Sequence, residues 1–144
     1  MIILNYIFFS IYKSISITNN WWPKKSTISA ITVLLYFNLL TIVAFLNEEI
    51  LKTKVLFFFI FIITFVLPHF YFYKKGRLEE IIEKFEGINR KKLFKYDLLV
   101  LTYVCASVYL FFYSLNVGNE IPFILISIIL ITSLYSYLKI VRFD

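Results

Sequence analysis

The sequence contains few of the residues on which soluble enzymes and secreted scaffolds depend. Its 144 residues include one Cys, one His, three Gly and three Pro, and only 17% of them are charged. A single Cys excludes an intrachain disulfide. Charged residues form about a quarter of an ordinary soluble domain, so this chain has too few to cover a water-facing surface. The composition excludes a soluble globular enzyme, a disordered tail and a disulfide-rich secreted domain.

Apolar side chains take the place of the missing charge. Hydrophobic residues are 60% of the chain, aromatic residues are 21%, and the mean hydropathy is +0.81. Four apolar runs contain no Asp, Glu, Lys or Arg, at 28–46, 55–73, 98–117 and 121–138. Each is close to the ~20 residues with which a helix crosses a bilayer. They lack the polar–apolar alternation of a membrane barrel, so we predict an all-α integral membrane protein.

The connections predict two antiparallel αα-hairpins. A short polar segment at 47–54 joins the first two spans, and the turn around Gly118 joins the last two. Gly118 suits the position just after a helix, and Pro122 suits the first turn of the next helix. The only sizeable polar segment, 74–97, separates the hairpins. We therefore predict a single membrane domain, 1–144, that forms a four-helix bundle.

Residues 1–20 predict a helix that is too short and too polar for an ordinary span. The apolar stretch carries Asn5 and Ser10 and ends at Lys13. A secretory signal peptide has a basic beginning and a small-residue cleavage site, and both are missing. We predict an interfacial helix that is retained in the protein. A re-entrant segment and a fifth span are the alternatives.

The distribution of Lys and Arg predicts the orientation. Thirteen of the fifteen basic residues flank the spans on one side, and only Lys52 and Lys54 lie on the other. The positive-inside rule then places both termini and segment 74–97 in the cytoplasm. A net charge of +6 in a soluble protein suggests nucleic acid. Here the basic residues flank apolar runs, so we expect the lipid bilayer as the partner and no nucleic acid.

Segment 74–97 predicts a cytoplasmic amphipathic helix that continues from the second span with a bend near Gly76. Its apolar face repeats at helical spacing and consists of Leu78, Ile81, Ile82 and Phe85. This face is either a docking site for a partner or a surface that lies on the bilayer or on the protein's own helix ends. A basic cluster predicted to anchor lipid headgroups follows it: Arg90, Lys91, Lys92 and Lys95. Asp97 lies directly before the third span. We expect it to pair with Lys95 or with a basic residue of a neighbouring copy.

Three polar residues inside the spans are candidates for function. Asn38 lies in the middle of the first span with Thr41 nearby, and a central amide in lipid requires a partner across a helix interface. That partner serves either packing or a pore. His69 follows Pro68 near the end of the second span. It is either a proton-sensing group on a kinked helix or an interfacial side chain that reaches headgroups.

Sequence motifs of enzymes are missing. The chain contains no HExxH, CxxC, GxSxG, P-loop or Gly-rich dinucleotide turn. One His cannot build a multi-His metal site or bind haem from two sides. We expect no enzymatic activity, no catalytic residue, no cofactor and no metal.

Several segments resemble small, uncharacterised four-span membrane proteins of Bacteroidota. They are YIFFSIY at 6–12, WP at 22–23, LYFNLLTI at 35–42, YFYKK at 71–75 and IIEKF at 81–85. The resemblance covers most of the chain in layout. It implies a multi-pass protein of the bacterial inner membrane and no particular activity.

These observations favour a non-enzymatic membrane component. It would be a scaffold, regulatory or immunity-type subunit that acts through helix–helix contacts and the amphipathic helix, as a homo-oligomer or with a membrane or cytoplasmic protein. The alternative is an oligomeric pore-forming or membrane-perturbing effector of a toxin or antiphage defence system. A small solute or ion carrier is the third hypothesis, and the shortage of charge inside the spans counts against it.

Overall fold

The computed structural model describes residues 2–19, 21–46, 54–74, 76–88, 90–118 and 120–142. Its elements are α1 (Ile2–Thr18), α2 (Pro23–Leu46), α3 (Lys54–Phe72), α4 (Arg77–Glu86), α5 (Arg90–Ser114) and α6 (Glu120–Arg142). The described part of the chain has no strand, so the all-α prediction is confirmed. The first hairpin turn is predicted at 47–54; its residues 47–53 lie outside the described residues, and Lys54 begins α3.

Four of the helices are long and apolar enough to cross a membrane, namely α2, α3, α5 and α6. Two of them begin more than a helical turn before the apolar runs that predicted them, α2 at Pro23 and α5 at Arg90. Proline is favoured at the first position of a helix, and Lys and Arg are good helix formers. Hydropathy marks only the apolar part of each helix, whereas the backbone continues through its basic flank.

The principal contacts order the four long helices as α3–α2–α5–α6, and α1 packs across one end of them. In the buried cluster at that end, α1 packs against Ile28 at the start of α2 and Phe72 at the end of α3. The same cluster includes Leu93 at the start of α5, and α1 is hydrogen-bonded to Ser136 near the end of α6. Successive long helices therefore run in opposite directions. We name this region the α1 end.

The outer helices, α3 and α6, contact their neighbours along narrow seams. The buried residues of α3 recur at every fourth position: Ile60, Thr64, Pro68 and Phe72. Along α6, the spacing between buried or half-buried residues alternates between four and three positions: Pro122, Ile126, Ile129, Ser133 and Ser136. The second spacing is the heptad spacing of left-handed helix pairs. Large apolar side chains occupy the remaining surface of both helices, as expected where lipid replaces water as the solvent.

The largest buried cluster lies at the α1 end. It contains Phe8, Phe9, Ile28, Ile31, Phe72, Leu78, Ile81, Phe85 and Leu93. The rings of Phe8 and Phe72 stack with centroids 4.7 Å apart. A smaller cluster of Leu40, Ile60 and Phe111 joins α2 to α3 and α5 further from this end. The best-packed part of the protein is therefore where the N-terminal helix meets the long helices.

Two helix ends differ from the sequence interpretation. Gly76 has φ +80°, so α4 is a separate helix rather than a bent continuation of the second span. The left-handed residue after α5 is Asn116, with φ 53°, and not Gly118. The backbone N–H of Val117 donates to the carbonyl of Phe112, and that of Asn116 donates to Tyr113. This is the Schellman ending, and asparagine tolerates the left-handed conformation that it requires.

Candidate functional site

The most connected polar cluster of the described residues joins α1 to α5. Asp97 Oδ1 accepts hydrogen bonds from Tyr6 Oη and Ser10 Oγ, each at 2.8 Å. The Tyr6 hydroxyl also lies 3.2 Å from the carbonyl oxygen of Leu93. Asp97 forms no ion pair among the described residues, and the pairing expected with Lys95 is wrong. Residues two apart on a helix point to different faces, and the carboxylate of Asp97 turns towards α1.

Every fourth residue along one face of α1 contributes to this attachment. Tyr6, Ser10 and Ser14 share that face because four residues are close to one helical turn. The hydroxyls of Ser14 and Ser136 lie 3.4 Å apart, and Ser136 Oγ donates to the carbonyl of Ser14 at 3.1 Å. From the sequence alone, Ser10 is only an interruption of an apolar stretch. The repeat of hydroxyls at this spacing is the signal that indicates the attachment.

The same helix is also attached to α3. Tyr71 Oη donates to Asn5 Oδ1 at 2.9 Å. In the sequence, Asn5, like Ser10, argues only against a span. Both side chains instead find partners on long helices. The polar residues of α1 therefore fix its position across the ends of α3, α5 and α6.

Tyr6 is a hydrogen-bond donor in this cluster at neutral pH. Burial, the hydrogen bond to Asp97 and the negative charge of Asp97 all raise the pKa of the Tyr6 hydroxyl well above its usual range. Each of these causes penalises the phenolate. The hydroxyl therefore keeps its proton at neutral pH and donates to the carboxylate.

A cleft of about 640 Å³ lies next to the Asp97 cluster, between α1, α2, α5 and α6. Because α5 packs on both α2 and α6, α5 forms the floor of the cleft, and α2 and α6 form its sides. Residues near α1 make one end polar: Ser10, Lys13, Ser14, Asp97, Ser133 and Ser136. The far end is apolar and is formed by residues such as Val33, Phe37, Val104, Val108, Leu125 and Ile128. We refer to it as the lateral cleft.

The predicted polar residues of the spans do not meet at one site. Asn38 Nδ2 donates to Tyr103 Oη at 2.6 Å and so links α2 to α5. Thr41 donates to the carbonyl of Phe37 on its own helix at 2.8 Å. His69 lies near the α1 end of α3, whereas Asn38 is about 22 Å along α2 from that end at 1.5 Å per residue.

His69 belongs to a stack of aromatic rings on α3. Its Nδ1 lies 2.7 Å from the carbonyl oxygen of Phe65. The imidazole stacks on Phe65 and on Tyr73, with centroid distances of 4.2 and 5.5 Å. Pro68 beside it is buried in the seam with α2. His69 is therefore held against its own helix.

The apolar face of α4 packs on α1. Leu78, Ile81 and Phe85 are buried and Ile82 is half-buried. The ring of Phe85 lies 5.4 Å from that of Tyr6. The sequence allows this face to be either a docking site for a partner or a surface that packs on the bilayer or on the protein's own helix ends. In the structure it packs on another helix of the same chain. A partner could reach the three buried residues only by displacing the helices that cover them.

A salt bridge and a cation–π contact lie on the outside of α4. Lys24 at the start of α2 forms a salt bridge with Glu79. This hydrogen bond lowers the pKa of the Glu79 carboxyl below its usual range. The guanidinium of Arg77 lies 4.2 Å from the centroid of the Tyr71 ring.

The predicted headgroup anchor lies on the first turns of α5. Lys95 is exposed there. The side chains of Arg90, Lys91 and Lys92 lie outside the described residues. No three His, Cys, Asp or Glu side chains in the described ranges lie close enough together to hold a metal ion.

Comparison with known proteins gives no relative: no family model, curated protein or solved structure matches the chain. The fold itself defines the class. It is an all-helical protein with four helices able to cross a membrane and an N-terminal helix across one end of them.

Proposed function

We propose that the chain is a non-enzymatic multi-pass integral membrane component, a scaffold, regulatory or immunity-type subunit that acts through helix–helix contacts. This proposal rests on the outer surface of α3. This helix buries a single seam against α2 and directs a dense set of aromatic side chains outward. Such a surface is either covered by lipid or packed on another protein.

The aromatic side chains of α3 form an ordered ridge. Phe61, Phe65 and His69 follow at successive turns and Tyr73 comes directly after the helix, with centroid distances of 6.1, 4.2 and 5.5 Å. Their interplanar angles are 21°, 23° and 20°. Lipid tails are as apolar as these side chains, so helix association in a bilayer depends on close packing. A ridge that is already ordered loses less side-chain entropy on binding, which favours a partner helix over lipid.

Hydroxyl groups in the long helices favour a packing component over a pore. Thr32, Thr64 and Ser107 each donate to the carbonyl four residues earlier on the same helix. Thr102, Ser127 and Thr132 do the same. A water-filled channel needs polar groups directed into its lumen. These six hydroxyls donate within their own helices instead.

The proposal includes a location and an orientation. We place the chain in the bacterial inner membrane with both termini in the cytoplasm. Thirteen of fifteen Lys and Arg residues flank the same ends of the four spans, which supports this orientation by the positive-inside rule. The resemblance to four-span proteins of Bacteroidota supports the bacterial location.

Native mass spectrometry of protein extracted from its own membranes tests the proposal. We expect a complex with a second polypeptide at fixed stoichiometry. Phe65→Leu should remove that polypeptide because it breaks the ridge. Phe59→Leu is the matched control, since Phe59 is comparably exposed, at 57% against 48% for Phe65, but lies on the other flank of α3. A protein that occurs only as homo-oligomers and conducts ions in liposomes would instead support the pore-forming alternative.

A further inference from the structure

We propose that the lateral cleft binds one acyl chain of phosphatidylethanolamine from the leaflet at the α1 end. In this arrangement the ammonium of the lipid lies on Asp97 and its phosphate on Lys13. The inference rests on the proposed membrane location. The length of the cleft, its opening and its charges support it separately.

The length of the cleft matches one leaflet. On α5 its lining extends from Asp97 to Val108, about 17 Å at 1.5 Å per residue. The hydrocarbon core of a bilayer is about 30 Å thick, so one leaflet contributes roughly half of that. The volume of about 640 Å³ lies within the range of small-molecule sites. An acyl chain that begins at the headgroup level would therefore end near Val108.

The cleft opens sideways between α2 and α6. Several residues that line it are exposed, among them Val33, Ile128 and Thr132. At its polar end, Ser10, Ser14 and other residues of α1 lie across the cleft. A chain can therefore enter from the lipid side without leaving the membrane. The exposed apolar walls would otherwise stay unpacked.

The polar end has groups of both signs. Asp97 Oδ1 accepts both hydroxyls from α1, and Oδ2 has no further hydrogen-bond partner among the described residues. A carboxylate that is half-buried beside apolar walls is costly unless a cation or donor meets it. Lys13 lines the same end with the opposite charge. A headgroup with adjacent ammonium and phosphate satisfies both residues at once.

The chemistry of Asp97 discriminates between headgroups. A primary ammonium carries N–H groups that donate to a carboxylate oxygen, and a charge-assisted hydrogen bond is about twice as strong as a neutral one. The choline headgroup is also cationic but has no N–H. Phosphatidylglycerol brings a phosphate and no cation. We therefore expect phosphatidylethanolamine to bind in preference to both.

Native mass spectrometry with defined lipids tests this site. The purified protein is equilibrated with equal amounts of phosphatidylethanolamine, phosphatidylcholine and phosphatidylglycerol that carry identical acyl chains. We expect about tenfold more retained phosphatidylethanolamine than either other lipid, which corresponds to about 1.4 kcal/mol. Asp97→Asn should abolish the preference. Asparagine keeps an oxygen acceptor for Tyr6 and Ser10 and replaces the charged Oδ2 with an amide.

Filling the cleft tests the acyl chain. Ala30→Phe places a ring inside it and should lower lipid retention about tenfold. Ala106→Phe is the matched control, because Ala106 is exposed on α5 and does not line the cleft. If Ala30→Phe fails to fold, Ser29→Phe at the exposed side of the cleft gives the same test.

Three results would overturn the inference. They are equal retention of the three lipids, unchanged retention in the cleft-filling variants, and equal loss in the Ala106→Phe control. Loss of a protein partner in Ala30→Phe with lipid retention unchanged would show that a helix occupies the cleft. Protein that is found in the membrane fraction and fails the lipid test refutes only the lipid site. Protein that is absent from the membrane fraction refutes the proposed location as well.

Discussion

The two ends of the long helices are held together differently. At the α1 end, residues far apart in the chain meet in one buried cluster, and hydrogen bonds connect α1 to α3, α5 and α6. Further along, α3 and α6 pack on one neighbour each through a narrow seam. The first region has the close packing of a soluble core, whereas the second directs its largest apolar side chains outward. The N-terminal helix, which looked peripheral in the sequence, therefore organises the best-packed region.

The largest expected effect comes from emptying the cluster at the α1 end. Phe8 is 0% exposed and Phe70 on α3 is 81% exposed. Phe8→Ala should lower the free energy of unfolding by about 3–5 kcal/mol, because it leaves a cavity where the ring meets Phe72. Phe70→Ala makes the same chemical change on the outer surface and should be close to neutral. Unfolding in detergent compares the two variants. An equal decrease in the free energy of unfolding would contradict the difference in packing between the two regions.

Removing the carboxylate of Asp97 should release α1. Asp97→Ala leaves the hydroxyls of Tyr6 and Ser10 without their acceptor, and hydrogen bonds to a charged group are worth about 1.5–3 kcal/mol. Hydrogen exchange of the α1 amides should increase while that of α3 stays unchanged. Lys95→Ala is the control, since Lys95 is exposed two residues away. Equal protection of α1 in wild type and Asp97→Ala would contradict the role of this cluster.

The attachment of α1 should also weaken at alkaline pH. The pKa of Tyr6 is raised in the folded protein, so the folded state binds this proton more tightly than the unfolded state does. The stabilisation is complete below the unfolded pKa of about 10 and is lost as the pH rises above it. The exchange rate of the α1 amides, corrected for the intrinsic pH dependence, should show this loss. Tyr6→Phe should remove the pH dependence, and a variant that retained it would assign the effect to another group.

The smallest effect is expected at the exposed salt bridge between Lys24 and Glu79. Exposed ion pairs contribute little to stability and are screened by salt. Lys24→Gln should leave the thermal unfolding midpoint nearly unchanged. It should nevertheless raise the pKa of Glu79 towards its ordinary value, measured by NMR of the carboxyl carbon. An unchanged pKa would show that this contact does not persist in solution.

The long helices could be predicted from the sequence because their signal is local. Runs of uncharged apolar residues determine α2, α3, α5 and α6, and the spacing of Leu78, Ile81 and Phe85 determines the face of α4. The identity of the surface that covers this face is not a local property. It depends on α1, which lies about 70 residues earlier in the chain.

The candidate site was less predictable for the same reason. The partners of Asp97 are 91 and 87 positions away, whereas the sequence suggested only Lys95 or a basic residue of a neighbouring copy. The repeat of hydroxyls at Tyr6, Ser10 and Ser14 was visible in the sequence, but it did not identify the helices that it binds. The lateral cleft lies between four helices, so it could not be predicted before their packing was known.

Disulfide crosslinking most directly tests the central claim, that α1 is fixed across the ends of the long helices. Ser14→Cys and Ser136→Cys are combined in a Cys105→Ser background, because the two native hydroxyl oxygens are 3.4 Å apart. We predict rapid oxidation to an intramolecular disulfide in native membranes. The control pairs Ser14→Cys with Ser114→Cys at the other end of α5. A crosslinking rate for Ser14 and Ser136 no higher than that of the control pair would contradict the docked position of α1.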